Sequence, residues 1–273
     1  MSPWVLRGLR DGIVTTKWPA KPDEYASSWR GPAAVRDPAA PAAVVPRPAQ
    51  PAGDLAGICP TGAISGGPPG RQASGPDETV RLDQGLCVLC GRCVAVRPDV
   101  FAWSAGSDVA ALTKARLIVP ARPETDEGLA EVRAGLAART AALRRSVHLR
   151  HVDAGSDGSE EQEIAALLNP VYDLHRLGIF FTASPRHADV LLVTGAGAAG
   201  MAEPLRETYE GMPEPKIVIA VGTDAVSGGL LAGSAMTSGG VGDLVPVDVW
   251  VPGSPPPPFS ILHALLVAIG KLP

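Results

Sequence analysis

The chain has 273 residues, and its 31 Gly and 28 Pro mean that about one residue in five favours turns or linkers. Its 24 Lys and Arg against 28 Asp and Glu leave it weakly acidic, which argues against a general nucleic-acid-binding role. Four Cys are too few for a disulfide scaffold, and no apolar run is long enough to cross a bilayer or to serve as a signal peptide. We therefore expect a protein that faces the cytosol and has no direct membrane span.

Residues 1–52 are predicted to be a docking arm followed by a linker. Residues 1–31 carry three of the five Trp, with Arg and Lys between them, and they show no sustained helical or strand period. An Ala/Pro/Val tract follows over residues 32–57. Its composition favours extended backbone that cannot bury a face of its own.

The four cysteines lie in the next predicted unit, residues 53–104, which a polar, Gly/Pro-rich insert interrupts between Ile64 and Val80. A triplet of thiols has the spacing C-x2-C-x2-C, and the fourth Cys precedes a Pro in the run ICPTGAI. Soft thiolates select an iron–sulfur cluster or zinc, and zinc sites usually use two separated C-x2-C pairs. The pattern therefore favours one [4Fe–4S] cluster, with zinc or metal-free thiols as the alternatives, held by Cys59, Cys87, Cys90 and Cys93.

This unit resembles the bacterial two-cluster ferredoxin module, in which the fourth Cys of each motif binds the cluster of the other motif. The chain lacks the first triplet, since PAQPAGDLAGI before Cys59 contains no Cys, and it has Arg97 before Pro98 where the second motif would end in Cys. The absent positions form the entire ligand set of one cluster. The resemblance therefore implies that one cluster was dropped and the other retained.

Residues 105–146 are predicted to connect two domains. A helix is expected over Pro123–Arg145, acidic at its start and basic at its end, with an apolar stripe of Leu129, Val132, Leu136 and Leu143. From residue 147 to 273, short apolar strands alternate with helical stretches, which is typical of an α/β fold with a mostly parallel sheet. Sites in such sheets form beyond the carboxyl ends of strands, where Gly-containing loops follow at Gly155, Gly195, Gly222 and Gly253.

The stretch from His148 to Pro258 resembles the small subunit of membrane-bound [NiFe] hydrogenases and formate hydrogenlyase, a relative of the 20 kDa subunit of respiratory complex I. The blocks that carry this resemblance are HLRHVDAGS, EIAALLNPVYDLHRLGI, ASPRHADVLLVTG, YEGMPEPKIVIAVG and PVDVWVPGSPPPP. Near the N-terminus, LRGLRDGIVTTKWP and WRGP are similar to the ferredoxin-type subunit of the same complexes. The resemblance implies a fusion: a flavodoxin-like parallel-sheet domain preceded by a small ferredoxin-like α+β module and an extended N-terminal arm.

The chain departs from this family at the cluster motif, which reads G-S-C-x2-C-x2-E-I, G-x-C-A and P-G-C-P-P. At the four expected thiolate positions it has Asp157, Glu160, Asp224 and Ser254. Because carboxylates and a hydroxyl do not hold an ordinary [4Fe–4S] cube, the resemblance implies that the family's relay cluster is lost. A solvated, vacated pocket is expected, and capture of Mg²⁺, Ca²⁺ or Mn²⁺ by the oxygen atoms is the alternative. Arg186, which resembles a residue close to that cluster in relatives, either pairs with these carboxylates or forms a salt bridge elsewhere.

A second motif competes with this interpretation. GAGAAG, at residues 195–200, matches G-x-G-x-x-G between a predicted strand and a predicted helix, which is the pattern of a dinucleotide-binding loop. Since hydrogenase-like blocks flank it on both sides, we expect a turn beside the vacated site instead. The five His lack metal-ligand spacing, and structural or interface roles are expected for them.

These patterns predict an accessory iron–sulfur electron-transfer subunit, without catalytic residues, of a membrane-associated hydrogenase-like or complex I-like oxidoreductase assembly. Its expected partners are a hydrogenase-like large subunit and membrane-arm subunits, with no nucleic acid. The expected location is the cytoplasmic side, peripheral on the inner face of the cell membrane through those partners. One alternative is a redox-silent scaffold in which the cluster is a structural staple, and another is a nucleotide-dependent oxidoreductase.

Overall fold

The structure, a computed structural model, describes residues 3–22, 29–36, 55–66, 80–120, 126–141, 143 and 146–272. Several predicted features lie outside these residues. They are most of the Ala/Pro/Val tract (37–54), most of the polar insert (67–79), the helix start at Pro123 and the basic helix end at Arg144 and Arg145.

The front part of the chain contains two short helices and two small antiparallel sheets. In chain order its elements are α1 (Pro3–Asp11), β1 (Arg30–Val35), β2 (Ile64–Ser65), β3 (Arg81–Asp83), α2 (Arg92–Val96), β4 (Phe101–Ala105) and β5 (Ile118–Val119). One sheet pairs β1 with β4, and the other has the order β2-β3-β5. The two small sheets and the cysteine loop share one small apolar core, formed by Ala33, Ile64, Leu82, Cys87 and Phe101.

Neither α1 nor β1 is among the predicted elements. Helix α1 has nine residues and buries none of them. Its apolar side chains therefore do not form the buried face by which a helix packed on a core is recognised. Strand β1 contains Gly31 and Pro32, which are unfavourable inside a sheet. Proline is tolerated here because a two-stranded sheet consists of edge strands only.

The remaining elements build one parallel sheet covered by helices. They are α3 (Asp126–Thr140), β6 (Val147–Asp153), α4 (Ser159–Ala166), β7 (Ile179–Phe181), β8 (Val190–Thr194), α5 (Ala202–Glu210), β9 (Ile217–Val221), α6 (Thr223–Ser227), β10 (Val249–Val251) and α7 (Pro258–Ala268). The sheet order is β10-β9-β8-β6-β7, and all its pairings are parallel. Numbered within this domain, the order is 2-1-3-4-5, so the predicted flavodoxin-like fold is confirmed.

Both faces of this sheet are buried, which explains why β8 and β9 are continuous apolar runs rather than alternating ones. Leu192 and Ile219 share one core with side chains of α3, α4 and α7. On the opposite face, Leu191 and Val218 share a second core with α5 and α6. The strands are therefore fixed from both sides, and the loops at their carboxyl ends are held on a rigid support.

Within the described residues, helix α3 ends at Thr140, earlier than the predicted end at Arg145, and its buried stripe is narrower than predicted. Leu129, Leu136 and Leu143 are buried as expected, whereas Val132 is 40% exposed. Among the helices within the described ranges, none combines the length and apolarity needed to span a membrane.

Candidate functional site

The four cysteines come from two loops and a helix of the front part. Cys59 follows a short 3₁₀ turn (Ala56–Ile58), and Cys87 follows another (Gln84–Leu86). Cys93 lies in the first turn of α2, while Cys90 is exposed in the loop before it. All four thiols line one small cavity, whose wall otherwise includes apolar side chains such as Ile58, Ile64, Leu82 and Val88.

The loop between Cys87 and Cys93 depends on two residues in the left-handed region, Leu89 (φ 54°) and Gly91 (φ 71°). A Cβ atom at Gly91 would lie 2.8 Å from the Trp103 ring, so a side chain is excluded there by space as well as by conformation. This turn allows the chain to curl around the cavity before α2 begins.

Burial and mutual repulsion disfavour the thiolate form of two of the cysteines. Burial raises the pKa of the Cys87 thiol, and the charges of Cys59 and Cys90 raise it further. For Cys93, burial and the neighbouring thiols raise the pKa to about 11. Without a bound cation these two thiols are therefore protonated at neutral pH, and metal binding here would release protons.

The geometry of the described residues does not form a site for a single metal ion. In the part of the chain that the structure describes, no three His, Cys, Asp or Glu side chains converge tightly enough to hold one metal ion. The cavity does bring four soft sulfur donors together within an apolar wall. Soft donors of this kind are the ligands that iron–sulfur clusters and zinc use in proteins, so the cluster stays a prediction at this point.

The oxygen-bearing residues predicted to replace the family's thiolates lie in loops and first turns beyond the carboxyl ends of the strands. Asp157 lies between β6 and α4, Glu160 in the first turn of α4, Asp224 in the first turn of α6, and Ser254 after β10. Asp157 is exposed, Glu160 is buried, and the other two are half-buried.

The three carboxyl groups interact with one another. Burial raises the pKa of Glu160 to about 7, and the charges of Asp224 and Asp157 contribute to this rise. Burial and the charge of Asp157 also raise the pKa of Asp224. In contrast, hydrogen bonds from Ser159 hold the pKa of Asp157 below its usual range. The sheet therefore brings the three predicted carboxylates into one electrostatic group.

Two hydroxyl groups that the sequence did not single out join the cysteine loop to the sheet domain. The Oγ1 hydroxyl of Thr223 donates a hydrogen bond to the carbonyl oxygen of Cys87 at 2.9 Å. The same oxygen accepts a hydrogen bond from the amide of Gly253 at 3.2 Å. Ser227 donates to the carbonyl of Gly85 at 2.8 Å. Both hydroxyls belong to α6, which also carries Asp224, so the front cavity lies directly beside the predicted vacated site.

The Gly-rich loop 195–200 packs against protein rather than forming an open cradle. A Cβ atom at Gly195 would lie 2.5 Å from the backbone of Gly155, and one at Gly197 would lie 2.6 Å from the carbonyl of Gly240. Ala198 also pairs with Thr237. The close approach that these glycines permit is therefore to neighbouring loops, which agrees with a turn and not with a pyrophosphate site.

The remaining candidate side chains lie elsewhere. Arg186 is exposed and forms no ion pair with any carboxylate of the described residues. His151 hydrogen-bonds Thr194 at 3.0 Å and lies 3.4 Å from Glu161, while burial lowers its pKa. His148 lies 3.6 Å from Asp189. These contacts are compatible with structural roles, which stay a prediction for these histidines.

Comparison with known proteins identifies the sheet domain. The profile of the family described as NADH ubiquinone oxidoreductase, 20 Kd subunit, matches residues 158–268. Over 130 residues the chain is 44% identical to a probable membrane-bound hydrogenase subunit of Pyrococcus furiosus, covering 48% of this chain and 78% of that protein. The chain belongs to this family.

Two further proteins are similar to part of this chain. Formate hydrogenlyase subunit 7 of Escherichia coli is 38% identical over 154 residues, which is 56% of this chain and 59% of that relative. The chain thus spans little more than half the length of that relative. A chain in the structure of an archaeal membrane-bound sulfane sulfur reductase is 28% identical, with a TM-score of 0.42, covering 48% of this chain and 76% of that one.

Proposed function

We propose that this chain is an accessory iron–sulfur electron-transfer subunit of a hydrogenase-like or complex I-like assembly. The observation that carries the proposal is the convergence of Cys59, Cys87, Cys90 and Cys93 on one apolar cavity. The cluster they would hold is a single [4Fe–4S] cube, which exchanges one electron at a time.

The residues around the cavity suit this role. Cys59 Sγ accepts a hydrogen bond from the amide of Ala63 at 3.3 Å and lies 3.4 Å from the Thr61 hydroxyl, and such contacts to sulfur tune the potential. Cys87 is buried, and its backbone carbonyl contacts α6, whereas the exposed Cys90 leaves one edge of the site open to an electron donor or acceptor. The chain therefore provides both an insulated side and an accessible side.

The sheet domain would lack the cluster that is typical of its family. Asp157, Glu160, Asp224 and Ser254 stand where the family's motif has Cys, and their oxygen atoms are poor ligands for a [4Fe–4S] cube. The chain would then combine one retained ferredoxin-type cluster with a sheet domain that has lost its own. The repulsion among the three carboxyl groups supports a hydrated pocket in place of a cube.

The sheet domain would mainly serve as a docking surface. Three large apolar side chains are exposed in the segment after α6: Leu230, Leu231 and Met236. This segment begins at Gly229, which lies against the Asp224 carboxylate. Contiguous exposed apolar surface commonly marks a protein interface. We assign this surface to a hydrogenase-like large subunit, with membrane-arm subunits holding the assembly at the cytoplasmic face of the membrane.

The proposal is tested by measuring iron and acid-labile sulfide per chain after anaerobic purification, with an electron paramagnetic resonance spectrum of the dithionite-reduced protein. We expect about four irons and one reducible cluster, as a [4Fe–4S] centre requires. Cys90→Ser should abolish both, because it removes one ligand at an exposed position. Asp157→Ala, also at an exposed position, is the matched control and should keep both. Iron that survives Cys90→Ser, or about eight irons per chain, would contradict the assignment.

A redox-silent scaffold is the second candidate, favoured by the carboxylates at the family's cluster positions. In that case the cluster would staple the front module without carrying electrons. The same spectrum separates the two functions. A carrier takes up an electron reversibly and shows the reduced signal, whereas a staple stays oxidised or loses its iron on reduction.

A further inference from the structure

Glu160 is a buried carboxylic acid that no cationic side chain of the described residues neutralises. Its residue is 1% exposed, and its Oε2 accepts a hydrogen bond from the Ser159 hydroxyl at 3.1 Å. Among the described Lys, Arg and His side chains, none forms an ion pair with it. A buried carboxylate without a counter-charge costs free energy, and burial raises its pKa to about 7.

The carboxyl group of Glu160 is connected to the cysteine loop through two consecutive residues. It packs on Gly222 so closely that a Cβ atom there would lie 2.5 Å from Oε1. Gly222 has a φ of 93° and precedes Thr223, whose hydroxyl donates to the carbonyl of Cys87. The acid is thus linked through Gly222 and Thr223 to the backbone carbonyl of Cys87, one of the proposed ligands.

We propose that Glu160 takes up a proton when the neighbouring cluster is reduced, so that electron transfer through this chain is coupled to proton uptake. The inference rests on the proposed function, because it requires the cluster on Cys87 and its three companions. The electron comes from a low-potential one-electron donor and enters the cluster. The proton comes from water and binds a carboxylate oxygen, so that the added negative charge is balanced.

The surroundings of Glu160 favour this coupling. The carboxyl groups on the same loop and helix as Glu160 are those of Asp157, Glu161 and Glu163. Glu161 already has partners of its own, Ser156, Thr194 and His151. Asp224 faces it from α6, and the titratable group of the helix packed on α4 is His263 of α7. The last polypeptide segment at this edge, PGSPPPP after β10, carries no charge. Added negative charge is therefore met by proton binding and not by an existing cation.

The expected size follows from Coulomb's law. For unit charges on the order of 10 Å apart at a protein-like dielectric, reduction should tighten proton binding about tenfold. By linkage, the midpoint potential should then fall by about 59 mV in total between the protonated and deprotonated limits of Glu160.

The test is a redox titration of the full chain at a series of pH values between about pH 5 and pH 9.5, followed by the resonance signal of the reduced cluster. In the wild type, the midpoint potential should fall as the pH rises through this range. Glu160→Gln, which mimics the protonated acid, should give a potential that is independent of pH and close to the wild-type value at low pH. Glu203→Gln on α5 removes the same charge from a side chain that is 73% exposed and should keep the fall.

Each other result is decisive. A flat wild-type profile, or a fall that persists in Glu160→Gln, would overturn the coupling while leaving the cluster assignment intact. A chain with no iron and no reducible signal would overturn both proposals. If Glu160→Gln does not assemble, Asp224→Asn provides a second test. Without the repulsion from Asp224, the pH range over which the midpoint potential falls should move to lower pH. An unchanged pH range would contradict the role of Glu160.

Discussion

At the scale of single residues, Glu160 also predicts how stability depends on pH. Its pKa is raised from 4.5 to about 7 in the folded chain, so the folded state binds the proton more tightly than the unfolded state. The stabilisation is complete below about pH 4.5 and is lost as the pH rises through about 7. We expect this one group to lower the free energy of unfolding by at most about 3 kcal/mol over that range.

Denaturant unfolding at several pH values measures this effect. The difference between wild type and Glu160→Gln isolates it, because the other titrating groups are common to both proteins. The wild type should lose stability relative to the variant as the pH rises from 5 to 8. Parallel pH profiles of the two proteins would show that Glu160 titrates normally in the folded chain.

The residues of the site differ in how far the sequence could predict them. The four cysteines are visible from spacing alone, since soft ligands at C-x2-C-x2-C leave few alternatives. Thr223 and Ser227 are not, because a hydroxyl that donates to a carbonyl more than a hundred residues away has no local pattern. The burial of Glu160 is hidden for the same reason: it depends on Gly222 of another loop.

At the scale of elements, the N-terminal arm packs against α7 through a cluster of aromatic rings. The ring of Phe259 lies edge-on to Trp18 and Trp29 at 5.8 Å each and to Tyr172 at 5.1 Å. Phe259 is buried, so Phe259→Ala removes both apolar burial and three ring contacts. We expect a loss of about 3–5 kcal/mol in the free energy of unfolding, measured by denaturant titration.

Phe180→Ala on β7 is the matched control. Phe180 is partly exposed and stacks on His175 at the surface, at 5.1 Å between ring centroids. Its loss should cost no more than about 1 kcal/mol. Equal losses in the two variants would mean that the aromatic cluster does not fix the arm.

The elements of the sheet domain could be predicted because alternating apolar strands and helices leave a clear pattern. The front part shows the limits of that signal. Strands of two or three residues, such as β2 and β3, are too short for any period, and β1 forms through its pairing with β4. The exposed side of α3 at Val132 likewise depends on which neighbours it packs against.

At the scale of the whole molecule, the arm binds the sheet domain before the chain enters the front module. Thr16 donates its amide hydrogen bond to Val171 at 2.8 Å, and the Thr15 hydroxyl donates to Pro170 at 2.8 Å. Deleting residues 1–22 should therefore lower the thermal midpoint by roughly 5 °C, as the loss of a few such contacts implies. It should leave the iron content unchanged, because the arm contributes no cavity residue.

Deletion of residues 1–11 alone is the control, since α1 buries no side chain and its removal should leave the midpoint unchanged. Both quantities are measured on the same preparations, by thermal melting and iron analysis. Loss of iron in the longer deletion would show that the arm supports the cysteine loop. The predicted family of the sheet domain is confirmed, while the division of the chain into two units stays a prediction. How the front part sits on the sheet domain depends on contacts such as the Ala111–Trp250 bridge, which no local pattern encodes.

The hydrogen bonds between the cysteine loop and α6 have an evolutionary consequence. Thr223 and Ser227 recognise carbonyl oxygens at Cys87 and Gly85, and every amino acid offers the same carbonyl. Mutations at Val88, which lines the cavity, can therefore change the polarity around the cysteines while the loop stays docked. If the proposed function holds, selection adjusts the driving force for electron transfer at such positions without rebuilding the junction between the two halves of the chain.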